Sequence, residues 1–80
     1  MNAGAFPQTP EEWEEHICST ATYFTVCRKV GVGQYSRKEF ADLRAAAEEA
    51  RGDRRALVYA VNAVGNYVHV TRARWEALLV

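Results

Sequence analysis

Little in this chain is equipped for chemistry at a reactive centre. There are two histidines, His16 and His69, and two cysteines, Cys18 and Cys27, in no catalytic or metal-ligand spacing. Two cysteines are too few for a disulfide scaffold and are expected as small buried hydrophobes, a single bridge between them being the alternative. Gly31-Val-Gly33 lacks the third glycine and the following helix of a dinucleotide-binding loop, and reads as a hairpin turn. No apolar run approaches membrane-spanning length, and Met1-Asn-Ala-Gly-Ala-Phe has neither signal-peptide architecture nor a lipidation box. The expectation is a soluble, cytoplasmic protein that needs no cofactor.

Net charge is also missing, because ten cationic side chains balance ten acidic ones. A zero balance argues against a general nucleic-acid binder, which neutralises several phosphates at once. The charges are nevertheless segregated. Glu11, Glu12, Glu14 and Glu15 give residues 1–16 a charge of −4, so the remaining 64 residues carry +4.

What the chain has is apolar pattern. Apolar residues make up 49% of it and charged residues 25%, a balance that predicts a packed core within one small domain. The longest near-continuous apolar run, Ala56-Leu-Val-Tyr-Ala-Val-Asn-Ala-Val64, is rich in β-branched and aromatic residues and bounded by Arg54-Arg55 and Gly65-Asn66. It reads as a strand apolar on both faces, in the middle of a sheet.

Residues 1–8 carry no period and are expected as a flexible tail, with Phe6 placed to staple onto the following helix. Thr9-Pro10-Glu11-Glu12 predicts a helix start, with Thr9 as N-cap, Pro10 at the first helical position and Glu12 completing a capping box. Trp13, Ile17 and Ala21 form the stripe that faces the body, with Cys18 alongside, and Glu11, Glu14 and Glu15 are expected to stay wet. The helix should fray near Ser19-Thr20. Tyr23 to Val30 alternates as a strand, with Phe24, Val26, Arg28 and Val30 on the core side. Gln34 to Phe40 is a polar strand suited to an exposed edge. From Ala41 the period becomes helical: Asp42 can cap, Leu43 is the main anchor above Ala46, Ala47 and Ala50, and Gly52 can supply a left-handed stop. Val64-Gly65-Asn66 turns into a strand from Tyr67 to Thr71, and Thr71 can cap a short last helix carrying Trp75, Leu78 and Leu79. The order is αββαββα: one α+β domain over residues 9–80, built on a four-stranded antiparallel sheet.

Three candidate sites compete. A nucleophile-base pair of Cys27 and His69 requires their strands to be neighbours, and no third group orients it, so no enzyme is expected. His16 and Glu12, one helical turn apart, offer only two metal ligands and close no site. Tyr23, Tyr35, Tyr59 and Tyr67 all fall on strands and, depending on register, can share a face with Arg37 and His69, as in modules that stack single-stranded bases. Alternatively Trp13 with its flanking glutamates, or the same tyrosine face, is a protein-docking patch, since Tyr, Trp and Arg are the usual interface anchors.

Taken whole, and especially over Tyr23-Phe-Thr-Val-Cys-Arg-Lys-Val30 and Arg54-Arg-Ala-Leu-Val-Tyr-Ala-Val61, the chain resembles the small anti-CRISPR proteins of phages and mobile elements that inhibit type I-C systems. The resemblance implies a stoichiometric inhibitor that binds the crRNA-guided Cascade complex and keeps it from target DNA. It brings no residue assignments. On physical grounds Glu11, Glu12, Trp13, Glu14 and Glu15 are the expected contact surface, standing in for phosphates, with the sheet edge near Tyr35 and Arg37 as the alternative.

Overall fold

The structure, a computed structural model, describes residues 7–80. The expected staple by Phe6, and most of the expected tail, lie outside the described residues. The element order is α1 (Pro10–Thr20), β1 (Ala21–Gly31), β2 (Gln34–Phe40), α2 (Leu43–Ala50), β3 (Leu57–Asn62), β4 (Tyr67–Val70), α3 (Arg72–Glu76) and a single 3-10 turn (Ala77–Leu79). The four strands form one antiparallel sheet in the order β2-β1-β3-β4. The α+β class, the αββαββα order and the interior position of the apolar strand are as the sequence predicts.

Local signals set the boundaries. The Thr9 hydroxyl accepts from the Glu12 N–H at 3.1 Å, and the Glu12 carboxylate accepts from the Thr9 N–H at 3.2 Å and the Gln8 N–H at 2.6 Å, completing the capping box. Asp42 caps α2 through the Ala45 N–H, and Gly52 takes the left-handed φ of 76° that ends it. Ser19 and Thr20 turn their hydroxyls back onto the His16 carbonyl at 2.9 and 3.0 Å and α1 stops there. Ala21, expected on the helical stripe, therefore opens β1 instead, two residues earlier than the alternation suggested.

The sheet departs from expectation in being covered on one side only. Phe24, Val26, Val58, Ala60 and Val70 point beneath α1, α2 and α3 and are buried with Ile17, Ala46, Ala47, Ala50 and Trp75. On the other side Leu57, Tyr59 and Val61 remain at least partly exposed, so β3 is apolar on two faces but buried on one. Beyond the strand's ends, Ala56 is buried in the core on the helix side while Val64 belongs to the four-residue β3–β4 loop and is exposed. Val30, expected on the core side, is likewise exposed, because the β1–β2 register shifts between Lys29 and Gly31.

Helix α2 sits close to the sheet through its three fully buried alanines. Leu43, expected to anchor it, packs only at the margin of the core. The largest fully buried side chain is Trp75 of α3, which fills the space that short alanines leave.

Ion pairs fasten the loop between α2 and β3. Arg28 donates from Nε to Asp53 at 2.7 Å, from Nη1 to the Glu49 carboxylate at 2.9 Å and from Nη2 to the Glu49 carbonyl at 2.9 Å. On the far side of that loop Arg72 Nη2 reaches the carbonyls of Asp53, Arg54 and Ala56 at 3.0 to 3.2 Å, while its guanidinium lies 4.7 Å over the Trp75 ring. The Arg28 bond holds the Glu49 carboxyl below its ordinary range, and the Arg55 N–H together with Arg28 does the same for Asp53.

Trp75→Ala should destabilise the fold by about 3–5 kcal/mol in urea denaturation, much of the roughly 4–12 kcal/mol available to a chain this long. Leu43→Ala, at the core margin, should lose well under half as much. The second expectation concerns acid. Glu49 and Asp53 bind protons less readily folded than unfolded, so their contribution is complete above the unfolded carboxylate range near about pH 4 and is lost as pH falls through their lower folded values. Arg28→Met should flatten the fall in stability on acidification, measured by thermal melts from roughly pH 6 down to pH 2.

Candidate recognition surface

Register decides what the uncovered face presents. In antiparallel sheets directly paired residues lie on the same side. Glu39, Thr25, Tyr59 and His69 thus form one row across all four strands; Arg37, Cys27 and Leu57 form the next; Tyr35 and Lys29 lie beyond, and Tyr23, Val61 and Tyr67 complete the opposite end. All four tyrosines share this face with Arg37 and His69, as the sequence allowed. Tyr59 is its centre, with ring centroids 6.0 Å from Tyr67 and 5.5 Å from His69. Around it lies a shallow concavity of about 410 Å³, lined by Tyr23, Arg37, Glu39, Val61 and Tyr67 among others. Tyr35 and Tyr67 are 63% and 66% exposed, values that leave their rings available to a partner.

The acidic helix is less available than its sequence suggests. Glu14, expected to be wet, is 6% exposed. Its carboxylate accepts from the Thr71 N–H at 2.8 Å, the Thr71 hydroxyl at 3.2 Å and Arg74 Nε at 3.0 Å. A burial this deep is tolerated because every one of these donors is aimed at the charge. Arg74 also reaches Glu15 at 2.7 Å, and Glu12 closes the capping box. Of the four carboxylates only Glu11 has no hydrogen bond or ion pair to the described residues. Trp13, expected to face the body, is 38% exposed and packs its ring 5.8 Å from His16.

The other sequence candidates are kept apart. Cys27 and His69 share the open face but lie on β1 and β4, with β3 between them, about 9–10 Å apart in the sheet direction. Cys18 is packed against the core on the helix side, where burial raises its thiol above the ordinary value, whereas Cys27 is on the open face; both are free and only half-buried. The sheet separates them, which precludes a bridge. Among the described residues no three His, Cys, Asp or Glu side chains converge as a metal site, and no helix is long and apolar enough to cross a membrane.

Sequence reasoning missed the roles of Arg28, Arg72 and Arg74. Each bonds residues at least 16 positions away, and only Arg72 has a local partner as well, Glu76 four residues on, so spacing along the chain does not disclose these roles. Glu14 did carry a signal: it stands three and four residues before Ile17 and Cys18, on the flank of the buried stripe.

Comparison with protein-family models, curated proteins and solved structures gives no match to this chain.

Because the open face packs against nothing, Tyr67→Ser should alter unfolding stability by less than about 1 kcal/mol. Arg74→Ala, which leaves the Glu14 carboxylate short of a partner, should cost about 2–4 kcal/mol. Equal losses in chemical denaturation would mean that the tyrosine face is structural.

Proposed function

We propose that this protein is a non-catalytic, stoichiometric inhibitor that works in the bacterial cytoplasm by docking its open sheet face onto the type I-C Cascade complex, denying that complex its target DNA. The observation that carries the surface is the gathering of Tyr23, Tyr35, Tyr59 and Tyr67 with Arg37 on the one uncovered side of the sheet. Tyrosine and arginine supply large contact area at little entropic loss and are the side chains that most often anchor protein interfaces. The partner is supplied by the sequence resemblance to type I-C inhibitors. The acidic helix lies on the covered side of the sheet and stays outside this contact: Glu12, Glu14 and Glu15 already hold other groups, and Glu11 and Trp13 flank the β4 edge.

A second reading has its own observation. Tyr59, Tyr67 and His69 form a contiguous aromatic row, and Lys29 and Arg37 stand on the same face without an ion-pair partner among the described residues. That combination suits stacking of unpaired bases beside a backbone phosphate.

One experiment separates the two. The protein is mixed with purified type I-C Cascade and, separately, with labelled single-stranded RNA and DNA at two salt concentrations. Inhibition predicts a defined complex with Cascade on gel filtration and loss of target-DNA binding. Tyr59→Ala with Tyr67→Ala should weaken that complex at least about 10-fold, and Glu11→Lys should weaken it far less. A salt-steep shift of the single strands with no Cascade complex would replace this reading by the second.

A further inference from the structure

The β4 side of the sheet carries a second recognition feature, formed by backbone and by the underside of α1. Asn62 N–H donates to the Asn66 carbonyl at 3.0 Å, which makes Asn62 and Asn66 a hydrogen-bonded pair. Such pairs alternate along an antiparallel ladder, so Ala60 with Val68 and Val58 with Val70 are bonded, while Val61 with Tyr67 and Tyr59 with His69 are not. The N–H and C=O of Tyr67 and His69 therefore point away from β3, along the outer edge. The next outward donor, Thr71 N–H, is the one captured by Glu14 at 2.8 Å. The edge is thus open over two residues and closed by a carboxylate beyond them.

Beside this edge runs a groove of about 260 Å³ lined by Pro10, Glu11, Trp13 and Glu14 of α1 and by Val68, His69 and Thr71. Its floor is apolar, through Pro10, Trp13 and Val68. Its rim holds Glu11, the carboxylate with no partner among the described residues. A strand added to β4 would point alternate side chains toward α1, the side on which Val68 lies. The other sheet edge is different in kind: β2 sets Arg37, Lys38 and Glu39 in succession, charges that oppose strand addition.

We infer that the β4 edge and the Trp13 groove together bind an extended peptide segment of a protein partner, which pairs with the Tyr67 and His69 backbone, inserts one bulky apolar side chain between Pro10, Trp13 and Val68, and sets a lysine or arginine two residues away against Glu11. Backbone pairing supplies the attachment and the groove supplies the choice of side chain, the division of labour of strand-addition sites. The site uses the outward backbone of β4 and is independent of the open-face reading.

The test uses the full chain and capped seven-residue peptides with leucine at the centre and lysine two positions to either side. Binding should slow amide hydrogen exchange at Tyr67 and His69 and shift Trp13 fluorescence to the blue. A central serine, or N-methylation of the peptide amides on the pairing side, should abolish both effects. Glu11→Lys, an exposed change that leaves the fold intact, should weaken binding by about 5-fold. His69→Pro removes the outward N–H, which an edge strand tolerates, together with the imidazole, and should eliminate binding while the β3 amides stay protected; His69→Ala, which loses the imidazole alone, should still bind. Exchange at Tyr67 and His69 unaffected by the peptides, undiminished binding of the N-methylated peptide, or protection confined to β2 would each overturn the inference.

Discussion

A sheet four strands wide has two faces, and this chain has helix enough for one. Helices α1, α2 and α3 contain 11, 8 and 5 residues, roughly 16, 12 and 8 Å of helix at about 1.5 Å per residue. Laid across strands spaced about 4.8 Å apart, they roof a single side. Everything distinctive about the molecule follows from that shortage. The alanines of α2 let a short helix sit low, Trp75 fills the volume they leave, and the unroofed side must be made of residues that tolerate both water and contact. Tyrosine meets that requirement, with an apolar ring and a hydroxyl that stays solvated.

The charge segregation along the sequence is largely cancelled in space. Glu14 and Glu15 meet Arg74, Arg28 meets Glu49 and Asp53, and Arg72 holds the carbonyls of the α2–β3 loop. Guanidinium groups suit this role because one planar fork can hold a carboxylate and a carbonyl together, as Arg28 does with Glu49. Among the described residues the acids are committed apart from Glu11 and Glu39, and Lys29 and Arg37 stay unpaired on the open face, so recognition falls to aromatic and backbone groups aided by these few charges.

How far the fold could be read from the sequence depended on distance along the chain. Thr9 with Glu12, Asp42, Gly52 and Thr71 act within four residues, and each took its expected role at a helix end. The apolar run of β3 placed that strand inside the sheet, whereas the alternation of β1 marked a strand without saying that it, too, would be interior. What could not be read was which apolar face would go uncovered, since Tyr59 and Val61 look as buriable as Val58 and Ala60 until the lengths of all the helices are compared. The tyrosine face was visible only conditionally, because strand identity does not fix register. Glu14 was misread because four acids in the first turns of one helix looked like one solvated group, while its partners stand 57 and 60 residues downstream.

That last separation bears on how the domain assembles. Helix α1 precedes every strand, yet it rests on the last of them, β4, and the groups that hold its buried carboxylate follow Glu14 by 57 and 60 residues. The β1–β2 hairpin and α2 can gather through nearby contacts, but seating α1 requires a loop spanning most of the domain to close. An early helix secured only by late residues ties the two halves together, so the domain closes as one unit and not piece by piece.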